Sequence, residues 1–194
     1  LITGHCFAQE NDIPLGAWRL HLNYSKIKSL AEIDNRVYGA AEFGVMYVDT
    51  QENSTGSLNK LSGLSGIGVN HIANDEPQKI LIIGYRDGTI DFLEDDKITN
   101  LETLKTTASI TGSRSINHIA VTGKMAYAST DFGVVAIDIE KKEIRETWRD
   151  LGVAGQTIRV YQSAILKDSI FLATEKGVWC GSLTTNLLDF NNWK

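Results

Sequence analysis

His71 and His118 are the residues whose type most readily suggests chemistry. Each sits in the same tetrapeptide, Asn70-His71-Ile72-Ala73 and Asn117-His118-Ile119-Ala120. Imidazole titrates near neutral pH and ligates zinc, so a repeated histidine invites an acid–base or metal role. A zinc site needs further donors, and neither tetrapeptide carries a carboxylate or thiol partner. Ser29 and Gln162 fill the same place in two related stretches, so imidazole is optional there and the position reads as a structural polar one.

The other candidates are weaker. Gly63-Leu64-Ser65-Gly66-Ile67-Gly68 suggests a phosphate loop, but its spacing is not G-x-G-x-x-G and no Lys-Ser/Thr follows. It reads as a turn. Glu94-Asp95-Asp96 lacks the ligand spacing and glycine of a calcium loop and reads as a solvated hairpin tip. Cys180 follows Val178-Trp179 in an apolar run, where a buried thiol is the expectation. No G-x-S-x-G, H-E-x-x-H or paired-carboxylate arrangement supports a mechanism. The expectation is a non-enzyme without metal or cofactor.

The elements that position these residues repeat. Gly44, Gly88, Gly133 and Gly177 lie 44, 45 and 44 residues apart, each between two β-branched or aromatic runs. A glycine there supplies the positive φ that a tight hairpin needs. A further short strand precedes each hairpin: Ile27–Ala31, Val69–Ala73, Ile116–Ala120 and the degenerate Val160–Ala164. A more polar one follows, as in Lys97–Leu101 and Glu143–Trp148. Four strands per period of about 40–45 residues is the signature of a β-propeller blade. The fold class is therefore all-β, a propeller of four-stranded antiparallel blades, with about four blades in residues 9–194.

Composition agrees. The chain has 194 residues, 42% hydrophobic, with a formal net charge of -5. The apolar fraction excludes disorder, and the absence of any long uninterrupted apolar stretch excludes a membrane-spanning helix. The acidic balance argues against a nucleic-acid partner.

At the start, residues 1–8 read as the remnant of an export signal, with Cys6 and Ala8 at the −3 and −1 positions before Gln9. Cleavage there would leave Cys180 as the single cysteine. At the other end, residues 186–194 read as the start of a further blade.

The segment Leu61–Ala73 followed by Ile83–Gly88 resembles the blades of two-component-regulator propellers. Ile13–Leu22, Gly84–Leu93, Lys97–Leu101 and Ile110–Ile119 together resemble the N-terminal propeller of the PorZ family, a type IX secretion component of Bacteroidota. Asn186–Trp193 resembles the lead-in to that family's next blade. The resemblance implies an exported, non-enzymatic protein of the cell surface or periplasm. It implies partners among secretion-system proteins, a sortase and outer-membrane components, and an association with anionic lipopolysaccharide. The alternative is a periplasmic glycan-sensing propeller of a hybrid two-component regulator.

In a propeller, the loops joining second to third strands share one face with the loops between blades. An aromatic ring beside an arginine on that face stacks on a sugar or pairs with an anionic group. The candidate ligand-binding residues are accordingly Phe43, Arg86, Asp87, Arg114, Asp131, Phe132 and Lys176. The competing expectation is that both phenylalanines fold inward against a neighbouring blade. A ring of six or seven blades needs about 240–315 residues at this period. Four repeats thus predict an arc of a larger, seven-bladed ring, with apolar flanks either exposed or covered by self-association.

Overall fold

The computed structural model describes residues 22–151 and 155–194. The candidate export remnant at residues 1–8 lies outside the described residues, as does the family-like stretch up to residue 21.

Period-two alternation creates the strands, and glycine or Asp/Asn-rich tips separate them. Blade 1 is β1 (Ser29–Ile33), β2 (Arg36–Ala41), β3 (Gly44–Asp49) and β4 (Ser54–Leu58). Blade 2 is β5 (Val69–Asp75), β6 (Ile80–Tyr85), β7 (Ile90–Glu94) and β8 (Lys97–Leu101). Blade 3 is β9 (Ile116–Thr122), β10 (Met125–Thr130), β11 (Gly133–Asp138) and β12 (Glu143–Trp148). Blade 4 has β13 (Val160–Leu166), β14 (Ser169–Thr174) and β15 (Gly177–Ser182). Each blade is an antiparallel meander in sequence order.

Successive side chains point to opposite faces of a strand, so a blade between two others must be apolar on both. Blade 2 satisfies this. Ile80, Ile82, Ile90 and Phe92 pack with Ile116, Ile119, Ala128 and Val135 of blade 3. Leu81, Ile83, Tyr85 and Leu93 pack with Ile33, Tyr38, Ala40 and Val45 of blade 1. Between blades 3 and 4, Tyr127, Val134, Ala136 and Trp148 meet Val160, Ile170 and Leu172. The core is three separate seams.

The first strands of neighbouring blades lie side by side in the order β1, β5, β9, β13, and no comparable contact joins β13 back to β1. The described residues form an open arc. Among them no helix is long and apolar enough to cross a membrane.

Residues 186–194 turn back to the last strand of blade 4. Cys180 and Lys194 exchange backbone hydrogen bonds of 2.8 and 2.9 Å, and Gly181 bridges Trp193. Trp193 and Lys194 therefore pair with the outer edge of β15, on the side where a fourth strand of blade 4 would lie. Trp193 anchors the segment: the ring is buried edge-on to Trp148, 5.7 Å between centroids, and its indole N–H donates to the Leu187 carbonyl. Gly181 makes the room, since a Cβ there would stand 2.7 Å from Leu187 and 3.0 Å from the indole.

The tip glycines divide. Gly88, Gly133 and Gly177 have φ of 88°, 129° and 110°, as the hairpin argument requires. At Gly133 a Cβ would also collide with the Trp148 carbonyl, where the outer strand ends; Gly44 meets the Leu58 carbonyl in the same way.

A buried carboxylate locks blade 2 to the turn that enters it. Asp91 is fully buried and accepts from the Tyr85 hydroxyl (2.6 Å), the Ser65 N–H (2.9 Å) and hydroxyl, and the Asn100 amide (3.0 Å). Removing it strands several buried donors at once, each costing about 1–3 kcal/mol. Asp91→Ala is expected to lower stability by roughly 3 kcal/mol in urea denaturation, whereas Asp168→Ala in an exposed turn changes it by less than about 0.5 kcal/mol.

Candidate functional site

The tips Glu42-Phe43, Arg86-Asp87, Asp131-Phe132 and Glu175-Lys176 each close the hairpin between the second and third strands of a blade. The same β-turn position places all four at corresponding ends of their blades. What differs is how much of each tip is already occupied by its own neighbours.

At blades 1 and 2, Asn23, Lys26, Lys28, Glu42, Phe43 and Arg86 line a cleft of about 410 Å³. Lys28 Nζ reaches Glu42 at 2.7 Å and the Val69 carbonyl at 2.8 Å. Arg86 donates to the other Glu42 oxygen at 3.1 Å and remains about half exposed. Hydrogen bonding from Lys28 holds the Glu42 carboxyl below the usual carboxylate range, burial opposes this, and the charges of Lys28 and Arg86 reinforce it. Three cations and one carboxylate line the cleft, so it carries net positive charge. Phe43 is 38% exposed at its rim. The geometry suits an anionic group beside an apolar or sugar-ring face.

The remaining sequence candidates lie elsewhere. Phe132 is 3% exposed and belongs to the core between blades 2 and 3, so it offers nothing to a ligand. The Thr130 hydroxyl accepts the Phe132 N–H and donates to the Gly133 carbonyl, tightening the turn, and the ring packs inward into the core between blades 2 and 3. Arg114 is spent on the chain: its guanidinium donates to the carbonyls of Thr107 (3.1 Å) and Ile110 (2.8 Å). Asp131 takes two bonds from Arg159, at 2.6 and 3.1 Å, and one from Asn117 at 2.9 Å. Burial pushes its pKa up, but bonds from Ser113, Asn117 and Arg159 outweigh that and lower it. Asp87 pairs with Lys105 at 3.1 Å. Lys176 is exposed at the last tip, far along the arc from Phe43 and Arg86. Phe43 and Arg86 are thus the two candidates that share a cleft.

Lys26, Lys28 and Asn23 were not singled out by sequence, although a signal exists. Lys26 directly precedes the first-strand residue Ile27, as Arg159 precedes Val160, and Arg159 crosses a seam to a tip carboxylate.

His71 and His118 lie on adjacent inner strands with ring centroids 4.5 Å apart. Burial, and then the neighbouring His118, push His71 down to about 4; burial also lowers His118. Both rings are neutral at physiological pH. His118 Nδ1 accepts the Ser163 N–H at 3.5 Å across the seam, and the Ser29 hydroxyl accepts the Ile72 N–H at 2.9 Å in the equivalent place. The position is an inter-blade acceptor at His118 and Ser29, whereas the buried His71 Nδ1 has no hydrogen-bond partner. Among the described residues, no group of three or more His, Cys, Asp or Glu is placed to hold a metal ion.

A second cleft, about 260 Å³, opens at the opposite ends of blades 1 and 2. Both its cations are paired internally: Arg36 with Asp49 (3.1 Å) and Asp96 (3.5 Å), and Lys79 with Asp34 (2.9 Å).

Comparison with known proteins settles the family. The family described as "TSS9, PorZ, N-terminal beta-propeller domain" matches residues 37–194. The chain belongs to this PorZ N-terminal propeller family. A solved structure of PorZ, titled as an essential bacterial surface component of the type IX secretion system of Porphyromonas gingivalis, is 26% identical with a TM-score of 0.75. The match covers 87% of this chain and 22% of that one, so the chain spans about a fifth of the length of the PorZ structure. The extracellular domain of the putative one-component system BT4673 from B. thetaiotaomicron is 12% identical with a TM-score of 0.68, covering 87% of this chain and 23% of that one. AztD from Citrobacter koseri is 16% identical with a TM-score of 0.57, covering 82% and 44%. The last two share the fold alone. No curated protein matches the sequence.

The depressed histidine pKa values make stability pH-dependent. The unfolded chain takes up protons below about pH 6.5, whereas folded His71 resists protonation to about 4. Its contribution is complete above pH 6.5 and is lost as pH falls towards 4. His71→Gln, the residue type found at Gln162, is expected to remove about 2 kcal/mol of the destabilisation between pH 7.5 and 5 in urea titrations. Equal pH slopes for the two proteins would contradict the assignment.

Proposed function

We propose that the chain is a non-catalytic recognition module of an exported, cell-surface secretion component, acting beside other secretion-system proteins and binding an anionic glycan such as lipopolysaccharide. The observation that carries this reading is the cleft lined by Lys26, Lys28, Arg86 and the single carboxylate of Glu42 beside the exposed ring of Phe43. Phosphate or carboxylate substituents on a sugar pair with such cations, and the face of an aromatic ring stacks on the pyranose.

Family membership supports the secretion context, because the PorZ of P. gingivalis is a surface component of that system. Most tip charges are consumed in holding blades together, which leaves the cleft beside Phe43 as the tip surface that supports a recognition role. The likeness to extracellular sensor domains rests on the fold alone and adds no separate observation for a glycan sensor of the two-component type.

Binding of anionic lipopolysaccharide and of a neutral oligosaccharide to the 194-residue chain, measured by calorimetry or surface plasmon resonance, tests the reading. Arg86→Glu is expected to weaken the anionic ligand by about tenfold or more, and Phe43→Ala by about fivefold, with the circular dichroism spectrum unchanged. Affinity should fall with salt. Equal binding by the native chain and both variants would exclude this cleft.

A further inference from the structure

We propose that blade 3 carries a second binding site, a small cleft that takes a free α-amino acid of the size of alanine, with its carboxylate on Arg145 and the Tyr127 hydroxyl and its ammonium on Glu146. The cleft lies between blade 3 and the turn that follows β15, towards the end of the blade opposite its tip. Tyr127, Arg145, Glu146 and Trp148 form its floor, Leu183 and Leu187 its roof, and its volume is about 120 Å³.

The space exists because of one small residue. Tyr38 and Tyr127 hold the same place before their tip glycines, Gly44 and Gly133, and pair across the hairpin with Tyr47 and Ala136. In blade 1 the Tyr47 ring lies 5.6 Å from that of Tyr38 and fills the sheet face as far as Gly56, where a Cβ would stand 2.3 Å from it. In blade 3 an alanine replaces that ring, and the cleft opens beside it.

A β-bulge supplies the charges. Ile144 pairs with Ile137 and Glu146 with Ala136, so Arg145 is the extra residue of β12. Neighbours on a regular strand point to opposite faces, but a bulge re-aims one of them. Arg145 and Glu146 accordingly line the same cleft.

The polar groups there have capacity to spare. Tyr127 is 7% exposed and stacked on Trp148 at 5.6 Å, yet its hydroxyl has no hydrogen-bond partner among the described residues. Arg145 is exposed and makes no salt bridge among the described residues. Glu146 accepts the Trp148 indole N–H on one oxygen at 2.8 Å, which fixes the carboxylate and leaves its other oxygen without a partner among the described residues. Burial raises the Tyr127 pKa, Arg145 opposes this and Glu146 reinforces it, so both charges act on the phenol.

A guanidinium takes a carboxylate in a two-pronged fork, a phenol adds a further donor, and a carboxylate oxygen takes an ammonium. One cation and one anion make the site neutral. A simple anion therefore meets Glu146 and a simple cation meets Arg145, whereas a zwitterion satisfies both. A water occupies about 30 Å³ in the liquid, so the cleft matches about four waters, which suits glycine or alanine. The site shares no residue with the cleft of Phe43 and Arg86 and is independent of glycan binding.

The test is calorimetric titration of the 194-residue chain with L-alanine, propionate and ethylamine, with the Trp148 indole N–H followed by NMR. L-Alanine is expected to bind and to move the Trp148 signal, and the two single-charge probes to bind about tenfold or more weaker. Arg145→Gln and Glu146→Gln should each weaken L-alanine about tenfold or more, and Tyr127→Phe about fivefold. Ala136→Tyr, which copies blade 1, should abolish binding with the circular dichroism spectrum unchanged, and Arg86→Glu should leave it as it is. Arg145 is exposed, so its variant reads the site without disturbing the core. Absence of L-alanine binding, propionate bound as tightly as L-alanine, or binding indifferent to both Arg145→Gln and Glu146→Gln would overturn the proposal.

Discussion

Everything in this structure depends on how one blade holds the next without a shared backbone ladder. The four sheets are separate, so no strand of one blade hydrogen-bonds along a strand of its neighbour. The first residue of each following inner segment would leave its carbonyl unpaired. Side chains supply the partner. Lys28 donates to the Val69 carbonyl at 2.8 Å, Asn70 to Ile116 at 2.8 Å, and Asn117 to Val160 at 2.9 Å. One polar position per repeat therefore satisfies the backbone of the next, and sets the distance at which the apolar faces behind it can meet.

That arrangement decides where recognition is possible. Seam-building consumes most of the charged tip residues: Asp131 and Arg159 are locked to each other, and Arg114 is folded onto the Thr107–Ile110 turn. At blade 1 the balance differs, because Lys28 serves the seam through the Val69 carbonyl while also sharing Glu42 with Arg86. A surplus of positive charge remains beside an aromatic ring. The cleft is a by-product of a seam that has one cation more than it needs.

The repeat was legible because glycine spacing and period-two alternation are local signals, and the four blades appear at the segments around Gly44, Gly88, Gly133 and Gly177. The place of His118 was legible as a polar position, since Ser29 occupies the equivalent place and accepts the same kind of backbone N–H. Phe132 and Phe43 were not distinguishable: both precede a tip glycine, and which ring folds inward depends on the neighbouring blade's packing, a non-local matter. Arg114 looked available because its acceptors are backbone carbonyls, which carry no sequence signature. Trp193 looked like the opening of a new blade because an apolar residue after a loop reads the same whether it pairs backward or forward. Only its burial against Trp148, with Gly181 leaving space, sends it back to β15.

The claim that one side chain per repeat holds each seam is tested most directly by amide hydrogen exchange on Asn117→Ala. If Asn117 ties blade 3 to blade 4, exchange should accelerate about tenfold or more for β9 and β13 amides flanking that seam, with β1 and β5 unchanged. Uniform acceleration over all four blades, or none in β13, would contradict the account.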